Sequence, residues 1–242
     1  MKVVLHIAVA GQVAMQDRLA SIANNVANVT TPGFRADGSR FAALVSRQRP
    51  APVTFVSAGE NWIDTTPGAI KQTGNPLDVA VRGNVWLAIQ GPDGPVYTRD
   101  GRMRMLPTGE LVSMRGHPIL DVGGAPITLN PKAGPPRIAR DGMITQNGRQ
   151  VGAIGLFSIP AEARLARFGN SGVIPDREPE PVVDFRDAGL MQGFVEESNV
   201  SGALEMTRLI EATNAFRRLS GALEESERTA LDAIRTLGGT GA

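Results

Sequence analysis

Apolar positions along this chain keep two different rhythms. Near the N-terminus Met15, Leu19, Ile22, Val26 and Val29 recur at alternating spacings of four and three, which holds them on one stripe of an α-helix. Near the C-terminus Leu209, Ala212, Phe216, Leu219, Leu223, Ser226, Ala230, Ala233 and Leu237 alternate three and four without a slip, the spacing of a coiled-coil seam. Only Ser226 interrupts that run with a polar group. Arg208, Glu211, Arg217, Arg218, Glu224, Glu225, Glu227, Arg228 and Asp232 fill the positions around it, so the helix packs by one edge. The pattern predicts helices over about 5–29 and 201–237. Thr30-Thr31-Pro32-Gly33 stops the first, because proline restricts the residue before it and glycine frees the next. Asn199 or Ser201 caps the start of the second, and Gly238-Gly239 ends it. Two distant ends built alike predict a pair, an antiparallel coiled coil.

The middle of the chain reads differently. Residues 34–75 show poor periodicity, with Pro50, Pro52, Pro67 and Gly68 breaking short apolar pieces; this predicts an extended connector with one or two strands. From Leu77 the chain turns into strands punctuated by turns: Leu77, Val79 and Val81 alternate with polar or small neighbours, and Val85 to Ile89 is a short apolar run. Turns at Gly91-Pro92-Asp93-Gly94, Asp100-Gly101 and Thr108-Gly109 follow in quick succession, the spacing of an antiparallel meander. Asn147-Gly148 suits the two positive φ angles of a type I′ hairpin turn. Pro175, Pro179 and Pro181 with interleaved charges read as a stiff solvated linker. The fold class is α+β. Its predicted parts are a terminal helical domain from 1–35 and 195–242, an extended connector at 36–75, a central all-β domain at 76–170, and a linker with short strands at 171–194.

Composition narrows the function classes. The 242 residues carry 25 basic and 24 acidic side chains, a net charge of +1, so nothing biases the chain toward nucleic acid or an anionic membrane. With 28 glycines and 17 prolines it exceeds the average usage of about 12% but stays below the roughly 25–30% that signals disorder. Cysteine is absent, which removes disulfides, thiolate metal sites and a cysteine nucleophile. No apolar run approaches a membrane span, and Gln12, Gln16, Asp17 and Arg18 follow the first apolar stretch too soon for a cleaved secretory signal.

Candidate catalytic groups are sparse. His6 and His117 are the only histidines and share no helical spacing, so no metal pair or histidine-based triad is predicted. Glu196-Glu197 is a carboxylate pair that wall-polysaccharide cleavage could use, but nothing fixes a separation between acid and nucleophile. Arg99, Arg102, Arg104 and Arg115 form a scattered basic set without interleaved aromatics, read as a solvated face. No cofactor is predicted.

Three segments in this order resemble the flagellar basal-body rod and hook family. The first is Ala23-Asn24-Asn25-Val26-Ala27-Asn28-Val29-Thr30-Thr31-Pro32-Gly33-Phe34-Arg35. The second is Thr73-Gly74-Asn75-Pro76-Leu77-Asp78-Val79-Ala80-Val81-Arg82-Gly83, followed by Tyr97-Thr98-Arg99-Asp100-Gly101 and Gly109-Glu110-Leu111-Val112. The third is Gln192-Gly193 with Glu196-Glu197-Ser198-Asn199-Val200 and Glu205-Met206-Thr207. The resemblance covers most of the chain and is greatest to the proximal-rod branch, with the distal rod as near neighbour. It implies a non-catalytic subunit, exported by the flagellar type III apparatus without a cleaved signal peptide. Copies would polymerise with one another and with other rod subunits into an axial drive shaft crossing the periplasm. It implies neither a nucleic-acid partner nor a membrane span. The alternatives are a distal rod subunit, or a β-domain binding module or wall-active enzyme.

The packing and assembly residues expected from these readings are Met15, Leu19, Ile22, Asn24, Asn25, Val26, Asn28, Val29, Leu209, Ala212, Phe216, Leu219 and Leu223. For Asn24, Asn25 and Asn28 two roles stand side by side: local backbone hydrogen bonding near the helix end, or hydrogen bonding across a helix-to-helix contact.

Overall fold

The computed structural model describes residues 2–39, 42–46, 53–57 and 61–238. In chain order the elements are α1 (Lys2–Ala27), β1 (Asp37–Ser39), β2 (Ala42–Ser46), β3 (Val53–Ser57), β4 (Asn61–Ile63), β5 (Ile70–Gln72), β6 (Val79–Arg82), β7 (Trp86–Gln90), β8 (Pro95–Thr98), β9 (Met103–Met105) and β10 (Leu111–Ser113). They continue with β11 (Arg137–Ile138), β12 (Met143–Gln146), β13 (Arg149–Ala153), β14 (Leu156–Ser158), β15 (Leu165–Phe168), β16 (Gly172–Pro175), β17 (Glu180–Pro181), β18 (Gly189–Gln192), β19 (Phe194–Glu196) and α2 (Gly202–Gly238). The architecture is α+β: two terminal helices bracket a largely β middle.

Two compact units share the chain. The helical unit gathers Met1–Ala27, Asp37–Trp62 and Ser201–Ala242; the β unit gathers Asn28–Ala36 and Ile63–Val200. In the helical unit α1 and α2 pack against each other, and β1 and β3 lie on α1. The helices are 26 and 37 residues long, about 39 and 56 Å at 1.5 Å per residue. Gln12 Nε2 donates to Ser220 Oγ at 3.3 Å, whereas Arg18, Ser21 and Ile22 share a pocket wall with Glu205 and Arg208, so the helices run in opposite directions. The first helix stops at Ala27, two residues short of the predicted end, and Asn28 to Thr30 already form the turn that Pro32 and Gly33 enforce.

The β unit is built on a six-stranded antiparallel sheet in the order β15-β16-β8-β7-β14-β17. Both faces of that sheet are covered, which explains why residues 85–89 read as a continuous apolar run rather than an alternation. Leu87, Ile89, Val96 and Leu156 face one core with Val79, Leu111, Ile119 and Ile144. Trp86, Ala88, Tyr97 and Phe157 face the other with Leu120 and Val173. The Asn147-Gly148 hairpin forms as read, with φ of 48° and 74° joining β12 to β13.

The segment 171–194 departs from its reading as a linker. Val173 is fully buried, β16 lies inside the six-stranded sheet, β17 is its edge strand, and β18 pairs with β6. Proline is tolerated there because Pro175 ends a strand and Pro181 sits on an edge. The β unit accordingly runs well beyond 76–170 on both sides, reaching back to β5, which pairs with β19.

Tyr97 is the only tyrosine of the chain, and burial, with Glu178 adding to it, raises its phenol above the ordinary value. The unfolded chain therefore loses this proton at lower pH than the folded one. Stability contributed by the neutral phenol is intact below pH about 10 and declines as pH climbs through the raised folded value. Absorbance titration of this single phenol is expected to show a midpoint above that of the urea-unfolded chain; coincident midpoints would contradict the burial.

Candidate assembly site

The helical unit places the predicted stripe residues along its two helices. Ile22 and Ala212 are buried, while Met15, Leu19, Val26, Leu209, Phe216, Leu219 and Leu223 are half-buried. Gly11 on α1 faces Leu219 on α2: a Cβ at Gly11 would stand 3.5 Å from Leu219 Cδ2, ordinary van der Waals contact. The side chains of the remaining seam positions Ser226, Ala230, Ala233 and Leu237, and of His6, lie outside the described residues. A second set of apolar side chains faces solvent: Val9 and Val13 on α1, and Leu204, Met206, Ile210 and Leu231 on α2. Val9/Val13 and Met206/Ile210 are each four residues apart, so each pair lies on one helix face.

The hydrogen bonds of the three asparagines reach the segments that follow the first helix. Asn25, buried, uses its amide as a strand would. Its Nδ2 donates to Asp37 O at 2.9 Å and its Oδ1 accepts from Asp37 N at 2.7 Å, which fixes β1 on α1. Asn24 donates to the Asp37 carboxylate at 2.5 Å. In the β unit, Asn28 Oδ1 accepts from Thr31 Oγ1 and from Asn170 Nδ2, tying the turn after the helix to the β15–β16 loop. Val29 lies half-buried in that turn, outside the helix.

Within the β unit the three motif segments converge on one buried ion cluster. Glu196, at the end of β19, receives Arg35 Nη2 at 2.5 Å and the Gly68 amide at 2.9 Å on Oε1, and Arg99 Nε at 2.6 Å on Oε2. All three charged residues are at most 2% exposed. Arg99 spends its other nitrogens on the carbonyls of Val81, Gly83 and Val85, at 2.6 to 2.7 Å. Both guanidinium carbons lie about 6 Å from the Trp86 ring centroid. Burial lowers the Arg99 guanidinium from its ordinary value, Glu196 opposes that shift and Arg35 adds to it, yet an arginine keeps its charge throughout.

Around this cluster the segments next to the two helices lie side by side. Gly33 N donates to Glu196 O at 2.8 Å, and Asn199 N donates to Phe34 O. Asn199 Oδ1 accepts from Ala36 N at 2.7 Å while its Nδ2 donates to the carbonyls of Asp64 and Thr66. Gly33 holds φ at +67°, and a Cβ there would fall 2.2 Å from Asp100 N, so only glycine fits the turn. Arg167 stacks its guanidinium 4.6 Å from the Phe34 ring centroid and donates to Arg35 O.

Two sequence readings are corrected here. Arg99 is no part of a solvated basic face: its neighbours on β8 are buried and it follows them into the interior. Glu196-Glu197 is not a surface pair either, because Glu196 ends β19 buried while Glu197, just beyond the strand, is exposed and lies 3.6 Å from exposed Lys71. With both oxygens of Glu196 occupied by cations and an amide, the carboxylate is structural. Ser201 lies just ahead of the first helical residue, with Glu205 N bonded to its carbonyl, while Asn199 is used by the cluster. Sequence reasoning weighed Arg99, Glu196 and Asn199 in other roles, named Arg35 only within a motif, and did not bring them together. The available signal was complementary charge, two arginines and one glutamate, in three separated motifs.

A β unit locked by a structural ion cluster, bracketed by terminal helices that expose apolar stripes, is the build of a scaffold subunit. Comparison with known proteins makes this specific. Residues 5–35 match the family described as flagella basal body rod protein, residues 80–174 the flagellar hook protein FlgE/F/G D1 domain, and residues 191–220 the flagellar basal body rod FlgEFG protein C-terminal. The chain is 47% identical over 234 residues to flagellar basal-body rod protein FlgF of Mesorhizobium japonicum, covering 97% of each chain. To FlgF of Rhizobium meliloti it is 44% identical over 98% of each. To flagellar basal-body rod protein FlgG of Bacillus subtilis it is 28% identical over 92% of this chain and 94% of that one. The chain belongs to the flagellar basal-body rod protein family. It is FlgF-like, a structural rod subunit of the flagellar basal body and not an enzyme. Among the described residues no helix is long and apolar enough to cross a membrane.

Proposed function

We propose that α1 and α2 form an antiparallel coiled coil and that this pair is the surface through which copies of the chain and other rod subunits polymerise. Met15, Leu19, Ile22, Val26, Leu209, Ala212, Phe216, Leu219 and Leu223 are its packing anchors. Asn24 and Asn25 hold β1 on the end of α1, and Asn28 and Val29 shape the turn that follows it. The observation that carries this reading is the surplus of apolar surface on the helical unit. Seven of the named seam residues, Met15, Leu19, Val26, Leu209, Phe216, Leu219 and Leu223, stay half-buried, and Val9, Val13, Met206 and Ile210 face solvent in the single subunit. Burying one such side chain stabilises by roughly 1.5–3 kcal/mol, and a contact between unlike surfaces that does not close on itself produces a helical filament.

The subunit occupies the proximal rod, reached through the flagellar export apparatus without a cleaved signal, and forms part of the drive shaft across the periplasm. The greater identity to the FlgF relatives than to the FlgG relative supports the proximal position. Quantitative mass spectrometry of purified hook-basal bodies tests it. Low, fixed abundance relative to the other axial subunits is expected. High abundance would move the chain to the distal rod, and absence would bring back a β-domain binding module.

A further inference from the structure

The β unit holds a pocket of about 330 Å³ between the turn that follows β10 and the β15–β16 turn, with Asp100, Arg102, Met114, Arg115, His117 and Phe168 in its wall. Asp100 is the only carboxylate there, and it is spent: Arg102 donates Nε to Oδ1 at 2.9 Å and Nη2 to Oδ2 at 2.8 Å. His117 is engaged as well. Its Nδ1 lies 3.1 Å from Gln90 O, a carbonyl that only accepts, and its ring stands edge-on to Phe168. Arg115 differs from both. It is exposed and makes no hydrogen bond or ion pair among the described residues. A Cβ on Gly169 would stand 3.4 Å from its Nη1, so the side chain reaches from one turn to the other. Arg104 on β9 is exposed and unpaired in the same sense, and a Cβ on Gly116 would stand 3.7 Å from its Nη2. The fold thus gathers two guanidiniums without a counter-ion at one turn, in a chain whose net charge is only +1. Like charges held together repel. Beside Arg115, Met114 is 53% exposed, and arginine, methionine and phenylalanine are side chains that protein contacts favour.

We infer that this pocket docks an acidic segment of a neighbouring axial subunit, one carboxylate of which is received by Arg115 while Arg104 adds to the attraction. A planar guanidinium takes both oxygens of a carboxylate in parallel hydrogen bonds. The thioether of Met114 covers the apolar stem of the entering side chain. A protein segment fits this recess better than a free anion, because Met114 and Phe168 give it an apolar wall that a small hydrated ion does not use. Opposite charge across the contact selects the partner and its register. The inference rests on the assembly reading above and names one contact within it, carried by the β unit rather than by the helices.

Lys2, Lys71 and Lys132 are the only lysines of the chain, so a new amine is easily traced. The full-length chain carrying Arg115→Lys is expressed in cells lacking the native copy, and purified hook-basal bodies are treated with a water-soluble carbodiimide. That reagent joins an amine to a touching carboxylate as an amide and takes up the water lost. Mass spectrometry of the digest is expected to show residue 115 joined to an aspartate or glutamate of another axial subunit. The yield is expected to fall several-fold when the same chain also carries Arg104→Glu. Rods that contain the Arg115→Lys chain but give no joined peptide overturn the inference, and so does a yield that Arg104→Glu leaves unchanged. Exclusion of either variant, folded by its near-ultraviolet dichroism, from rods that accept the parent chain supports the contact, because neither arginine has a partner among the described residues of its own subunit. Absence of the parent chain itself from the basal bodies refutes the assembly reading instead.

Discussion

Glu196→Ala is expected to destabilise the β unit by about 3–5 kcal/mol, the usual consequence of removing one partner from a buried ion pair. The reason lies in what remains. Arg35 and Arg99 stay 1% and 2% exposed with their shared anion gone, and Arg35 already keeps Nε and Nη1 without hydrogen bonds among the described residues. The Gly68 amide also loses its acceptor. In a chain of this length such a loss lowers the melting temperature by on the order of 10 °C. Denaturant unfolding followed by near-ultraviolet dichroism, in which Trp86 beside the two arginines reports on the cluster, measures it. Glu196→Gln separates charge from shape: the amide fills the space but leaves two cations uncompensated, so it is expected to lose most of the same stability. A change below about 1 kcal/mol in both variants would mean that the arginines find other partners and that the cluster does not hold these segments together.

Much of this fold was legible because local chemistry decided it. The heptad run from Leu209 and the stripe from Met15 announced the helices, and Asn147-Gly148 announced its hairpin, since each signal lies within a few neighbouring residues. Short strands after Ser171 were expected, but their pairing was not legible. Their partners are distant, β18 on β6 and β19 on β5, and the prolines that suggested a linker stand at a strand end and a sheet edge, where a missing N–H costs little. The ion cluster was hidden for the same reason. Arg35, Arg99 and Glu196 are spread over more than 160 residues, and charge in a single sequence reads as surface until a partner is known. The asparagines near the end of α1 were recognised as special, yet their target, the backbone of Asp37 for Asn25 and the β15–β16 loop for Asn28, follows only from tertiary packing.

The same geometry explains how one chain can serve as a scaffold component. The segment that follows α1 and the segment that precedes α2 are hydrogen-bonded to each other within the β unit, through Gly33 with Glu196, Phe34 with Asn199 and Ala36 with Asn199. Both ends of the chain's central portion are therefore fixed at one place in that unit, beside the buried cluster of Arg35, Arg99 and Glu196. Conditions or variants that weaken the cluster act on the β unit. The apolar seam of the helices answers to different substitutions, which lets the two be separated by experiment.

Phe216→Asp makes that separation. Phe216 is half-buried among the apolar seam positions Ala212, Leu219 and Leu223, and an aspartate there puts a charge without a partner where subunits are proposed to pack. The variant is expected to be made at normal levels and to give the parent's near-ultraviolet signal from the β unit, because both hydrophobic clusters of that unit lie outside the helices. It is also expected to be missing from purified hook-basal bodies and to leave cells that do not spread in soft agar. Phe216→Leu keeps an apolar side chain in the same position and is expected to retain swimming. Together the two variants distinguish a requirement for an apolar seam from a requirement for the ring itself. Swimming by the aspartate variant, with the protein present in its rods, would remove the seam from the assembly surface and leave the exposed Val9, Val13, Met206 and Ile210 faces to carry it.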